Sequence, residues 1–158
     1  MSVTVSPAAP ARRWVVATAG GEAVSGYLPG WAEQDPSTTD VAMGRLPAVL
    51  ADITHHADMG GLVLPVSRAQ EPAQDAPVLA VSIQCKPFPD DGDPPIPVVN
   101  VQVTDDFWIR DLDPDAVTDL GQRLRTLAER LATTVAPALT AARTDWTHRH
   151  RTPGGTHR

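Results

Sequence analysis

An apolar stripe near the C-terminus constrains this chain more than any other feature. Val117, Leu120, Leu124, Leu127, Leu131, Val135, Leu139, Ala142 and Trp146 recur at an average step of about 3.6 residues, the α-helical period. Asp113-Pro114 supplies the start, with an N-cap aspartate and a proline at the first position, where a missing N–H costs nothing. Asp115 and Asp119 sit early and Arg123, Arg125 and Arg130 later, as the helix dipole prefers; Asp119 and Arg123 are also i,i+4 partners. An unbroken helix from Pro114 to Trp146 would be about 50 Å long. A single domain of this size is only about 40 Å across. The helix must therefore bend, break or overhang, and Pro137 predicts an interruption near residues 133–136. If the stripe is a core face, each leucine in it contributes about 1.5–3 kcal/mol, and Leu124→Asp unfolds the domain.

The partner of such a helix is read in the alternating segments upstream. Val98–Thr104 places Val99, Val101 and Val103 on one side and Asn100, Gln102 and Thr104 on the other, the period of a half-buried strand. Val78–Lys86 does the same, with Leu79, Val81, Ile83 and Cys85 sharing a face. Trp14–Ala19 and Ala23–Leu28 flank Gly20-Gly21 and predict a hairpin. Leu62–Ser67, with Leu62, Leu64 and Val66 inward, predicts a strand that pairs on one side only, because Pro65 lacks a ladder N–H. Leu46–His56 fits both a strand and a helix stripe. The strand is preferred, since Met59-Gly60-Gly61 would then turn it into Leu62–Ser67. The fold class expected is α+β: a small antiparallel sheet of four to five strands packed on a long C-terminal helix interrupted near Pro137. Residues 12–147 form that single domain, between a flexible arm at 1–11 and a disordered basic tail at 148–158.

Composition excludes several functions. Twelve arginines stand against one lysine, and 15 aspartates against 4 glutamates, for a net charge of −6. Residues 1–111 carry 6 basic and 14 acidic side chains, and residues 112–158 carry 7 and 5. An acidic body repels phosphate backbones, so nucleic-acid binding is not expected beyond a weak association through the basic C-terminus. One cysteine, Cys85, allows neither an internal disulfide nor a cysteine zinc cage. No signal peptide or membrane-length apolar run is present, which predicts a cytoplasmic location.

No phosphate-binding loop, dinucleotide fingerprint, zinc-protease motif or nucleophile elbow occurs. His55-His56 with Asp58 face opposite sides of a strand and cannot both enter one metal site. Asp90, Asp91 and Asp93 read as a solvated acidic loop within the five-proline connection Pro87–Pro97, and His148, His150 and His157 as tail residues. No metal site and no cofactor are expected. The informative stretch is Asp105-Asp106-Phe107-Trp108-Ile109-Arg110. An unbroken strand would bury Asp105, at a cost of several kcal/mol. Either a bulge or bend turns the carboxylates outward, or a partner pairs with Asp105 inside. Trp108 then shares a face with Arg110.

Gly30-Trp31-Ala32-Glu33-Gln34-Asp35-Pro36-Ser37, Ser82-Ile83-Gln84-Cys85, and the run from Pro97 to Val101 and on through Asp105–Pro114 resemble a small domain family of unknown function from high-GC Gram-positive bacteria and their mobile elements. The resemblance covers residues 12–147. It implies an α+β fold and a bacterial cytoplasmic setting, and transfers no catalytic residue. Some relatives carry a Cys-x-x-Trp-Cys-like segment near a histidine where this chain has Leu28-Pro29-Gly30-Trp31-Ala32, so a metal site there would be lacking here.

The function expected is a non-enzymatic accessory or protein-interaction domain, with a protein as partner, that uses Trp31, Asp105, Asp106, Trp108 and Arg110. The alternative is a metal-dependent, hydrolase-like enzyme working through Asp105 and Asp106.

Overall fold

Gly20-Gly21 turns the chain back on itself, as expected. β1 (Arg12–Thr18) and β2 (Ala23–Leu28) pair antiparallel, with Arg12 opposite Leu28 and Ala17 opposite Ala23. The computed structural model describes residues 12–151; the expected arm at 1–11 and the tail from 152 onward lie outside the described residues. β3 (Thr38–Val41) joins the other side of β1 in parallel, giving the order β2-β1-β3. Trp14, Val16 and Leu28 are fully buried and form a core with Ala32 and Ile53.

Leu46–His56 is not one strand. A single 3₁₀ turn, Met43–Arg45, leads into α1 (Leu46–Ala51), and β4 (His55–Asp58) follows separately. The helical spacing prevails because it lets Leu46, Val49 and Leu50 all pack against the Trp14 cluster. Nor does Gly60-Gly61 make the expected hairpin. β4 pairs with β7 (Ala80–Cys85), and β5 (Leu62–Val66) pairs with β6 (Gln74–Val78). β5 pairs on one side only, as Pro65 requires, but Leu62 and Leu64 are exposed rather than inward. The Val78–Lys86 run is cut at Leu79, whose φ of 55° ends β6 and starts β7.

β7, β8 (Val98–Thr104) and β9 (Phe107–Leu112) complete an antiparallel sheet of order β4-β7-β8-β9. Its pairing puts Val81, Ile83, Cys85, Val99, Val101 and Ile109 on one face, and Ser82, Gln84, Asn100, Gln102 and Trp108 on the other. The described residues thus hold mixed α+β content in three sheets of three, four and two strands, where one sheet of four to five was expected. Of the added strands, β3 follows from a long-range pairing with β1, while β6 and β9 fold back on the strands just before them.

By its internal contacts the chain divides into two compact units that meet at Pro114–Asp115. In the second, the expected start at Pro114 holds, and α2 (Pro114–Arg130) and α3 (Ala136–Arg149) run on through a π turn at Leu131–Val135. The interruption is this widened turn rather than a break. Pro137 cannot donate to the carbonyl four residues back, and a π turn just before it absorbs the lost bond. The helix spans 36 residues and takes in His148 and Arg149, which were assigned to the tail.

Taken by itself, the helical unit leaves its stripe uncovered: Leu124, Leu127, Leu131, Val135, Leu139 and Trp146 are all exposed.

Candidate functional site

The Asp105-Asp106 problem is resolved by a hairpin. Thr104 pairs with Phe107, so the two aspartates are the two residues of a tight turn between β8 and β9. Asp105 takes a φ of 33°, a left-handed conformation that aspartate tolerates better than most residues. Both carboxylates turn outward, which is the first of the two outcomes weighed from the sequence. Arg68, from the segment after β5, donates from Nη2 to Oδ2 of Asp105 and fixes the turn. Among the described residues no group of three or more His, Cys, Asp or Glu is placed to hold a metal ion.

Beyond the turn, β9 is an edge of the four-stranded sheet. Trp108 lies opposite Gln102 on the polar face and is 39 % exposed. The Arg110 guanidinium carbon lies 5.6 Å from the centroid of the Trp108 ring, within cation–π range. Phe107, beside it, is 73 % exposed. Trp108 and Arg110 are therefore brought together as the alternation predicted. Trp31 is not brought to them. It is half-buried and packs against the Trp14 core.

Arg110 owes its position to a bulge. Val101 pairs with Ile109 but Val99 pairs with Leu112, so Arg110 and Asp111 together oppose Asn100. Asp111 adopts a φ of 58°. Asn100 is nine-tenths buried and locks the bulge, accepting the Asp111 N–H at Oδ1 over 2.9 Å. Its Nδ2 donates to Gln84 Oε1 at 3.0 Å, and Gln84 Nε2 donates to Ser82 Oγ at 3.1 Å. A chain of amides thus runs across three strands on the polar face. Sequence reasoning missed Asn100 and the bulge, since one extra residue in a strand leaves no periodic trace.

It also missed Lys86. The acidic loop is not merely solvated: Lys86 Nζ donates to Asp93 at 2.8 Å and to Asp90 at 3.2 Å. The hydrogen bond from Lys86 holds the Asp93 carboxyl below the usual carboxylate range, and Asp93 and Asp90 raise the lysine in turn. The signal was available. The chain's single lysine has aspartates at i+4 and i+7.

His55 and His56 face opposite sides of β4, as expected. His55 is 3 % exposed, while His56 Nδ1 lies 3.9 Å from Glu33 Oε2 near the surface. Burial holds the His55 pKa below the ordinary value, with a partial offset from a backbone hydrogen bond with Tyr27. Cys85, opposite His55, is half-buried, and burial raises its thiol pKa.

The fold and this site define a small α+β domain with an exposed Trp–Arg pair on a bulged edge strand. The model of the domain of unknown function DUF6907 matches residues 14–141, and the chain belongs to that family. No curated protein and no solved structure matches it. Among the described residues, no helix is long and apolar enough to cross a membrane.

Proposed function

We propose that this is a non-enzymatic protein-interaction module that receives an extended segment of another protein along the open edge of β9. The observation that carries it is Trp108 with Arg110 over its ring, exposed on an edge strand. Tryptophan and arginine are the residue types that dominate binding energy at interfaces. A sheet edge offers unpaired backbone groups to an incoming strand. Phe107 adds apolar surface at the start of the same strand. The proposed setting is the cytoplasm of a high-GC Gram-positive bacterium, a reading supported by the family resemblance and the arginine-rich, lysine-poor composition.

A photo-crosslinking residue at position 107 in living cells, with Trp108 intact, tests the reading. A discrete adduct with a second protein is expected there and not at Glu22, in the β1–β2 turn. Trp108→Ala and Arg110→Ala, each combined with the crosslinker at position 107, are expected to weaken that adduct by about 30-fold without lowering the melting temperature. Equal labelling at positions 107 and 22, or an adduct indifferent to both substitutions, overturns the proposal.

A further inference from the structure

Beside the Trp108 patch, the bulge and the proline-rich loop enclose a cavity of about 130 Å³ whose lining is unusual in its charge balance. Lys86 and Arg110 supply two cations; Asp93 and Asp111 supply two carboxylates. A lone anion there meets two like charges, and so does a lone cation. A ligand that carries both charges meets neither penalty.

The polar floor adds direction. Asn100 uses one amide N–H on Gln84, and Gln84 uses one on Ser82. Each primary amide carries two N–H groups, so each retains a donor, and both residues line the cavity. Ile96 and Val98 form an apolar wall. The volume is that of about four liquid waters, enough for a compact molecule and too little for a nucleotide or a sugar chain.

We propose that this cavity binds a small zwitterion, a free α-amino acid with a short side chain. Its carboxylate is received by Arg110 and the Asn100 and Gln84 amides, its ammonium group by Asp93 and Asp111, and its side chain by Ile96 and Val98. Lys86 acts as a positioning residue: its bonds to Asp93 and Asp90 pin the proline-rich loop over the sheet. Arg110 is shared with the proposed protein contact, but Trp108 does not line the cavity and its occupancy does not depend on Trp108.

The test is thermal unfolding and calorimetric titration of the full chain with glycine, L-alanine and L-serine, each at about 10 mM. Acetate and inorganic phosphate serve as carriers of negative charge alone, and glycinamide as a carrier of the ammonium group alone. One or more of the amino acids is expected to raise the melting temperature by about 5 °C, while the three controls leave it unchanged. Arg110→Ala and Asp93→Asn each abolish the shift, and Trp108→Ala keeps it, which separates this site from the protein-binding reading. An equal shift with acetate or phosphate shows a plain anion site and overturns the proposal. So does the absence of a shift with every amino acid, or a shift that survives both Arg110→Ala and Asp93→Asn. The ligand panel on the wild-type chain decides the matter even if a variant fails to fold.

Discussion

Gly26→Ala is expected to destabilise the protein by about 3 kcal/mol, although it adds a single methyl group. Gly26 lies opposite Trp14 in the β1–β2 ladder, and the indole occupies the space that a side chain at Gly26 would need. A Cβ at Gly26 would stand 2.4 Å from Trp14 Cζ2, 2.5 Å from Cε2 and 2.8 Å from Nε1. The ring has nowhere to retreat. Trp14 is 1 % exposed, sits edge-on to Phe88 at 6.0 Å, and shares its cluster with Val16, Leu28, Ala32 and Ile53. A rigid ring in a close-packed core relieves such a clash only by moving its neighbours or the strand. A loss of 3 kcal/mol is a large part of the 5–15 kcal/mol that ordinary domains possess, and corresponds to a fall in melting temperature of about 12 °C. A compensating change makes the test specific. Trp14→Phe removes the atoms that clash, together with an indole N–H that is buried without a partner. The double variant is expected to be more stable than Gly26→Ala alone. A melting temperature for Gly26→Ala within about 2 °C of wild type, or a double variant less stable than both singles, refutes this account of the core.

That pairing illustrates what was and was not legible. The Gly20-Gly21 hairpin, the β8 alternation and the helix start at Asp113-Pro114 are local signals, and each holds. A turn or a cap is decided by a few neighbouring residues. Strand partners are decided by residues far along the chain. Nothing in His55–Asp58 names Ala80–Cys85 as its neighbour, and nothing in Thr38–Val41 announces a parallel ladder with β1. Leu46–Ala51 is too short for its period to separate helix from strand, and only contact with Trp14's cluster decides it. Amphipathicity carries a related ambiguity. It marks the faces of β5 and of the long helix that can be covered, but Leu62 and Leu124 are both exposed here.

The site divides the same way. That Trp108 and Arg110 share a face is a matter of counting by twos, and the 5.6 Å stacking follows. The Asp105-Asp106 turn was hidden because it lacks the glycine that normally marks a two-residue hairpin. The bulge at Arg110-Asp111 was hidden because it exists only relative to β8. The acidic loop looked solvated because its aspartates were read apart from Lys86, whose i+4 and i+7 spacing to Asp90 and Asp93 was there to be read.

Mild acid is expected to destabilise this protein through His55. The imidazole is 3 % exposed, and burial outweighs its backbone hydrogen bond with Tyr27, so a charge on it would be poorly compensated. Burial therefore lowers its folded-state pKa below the ordinary value of 6.5. The unfolded chain then binds a proton at a pH where the folded chain does not, and stability rises with pH across that interval. His55's contribution is full above the unfolded pKa and is lost as pH falls below it toward the folded value, at up to about 1.4 kcal/mol per pH unit. The other lowered groups act elsewhere. Asp35, held by Ser37, and Asp93, held by Lys86, have ordinary values of 3.8, so their losses fall at lower pH. Denaturant unfolding at pH 7.5, 6.5, 5.5 and 5.0, values set around that ordinary histidine pKa, is expected to show a steepening loss below 6.5. His55→Leu replaces the buried imidazole with a side chain that cannot take up a proton, so it should flatten that loss and leave a protein more stable than wild type at pH 5. His56→Gln, on the exposed face of the same strand, should leave the wild-type slope intact. If His55→Leu retains the full acid dependence, the histidine is not buried neutral and this reading of β4 is wrong. The burial that keeps this imidazole neutral is thus what costs the fold stability in mild acid.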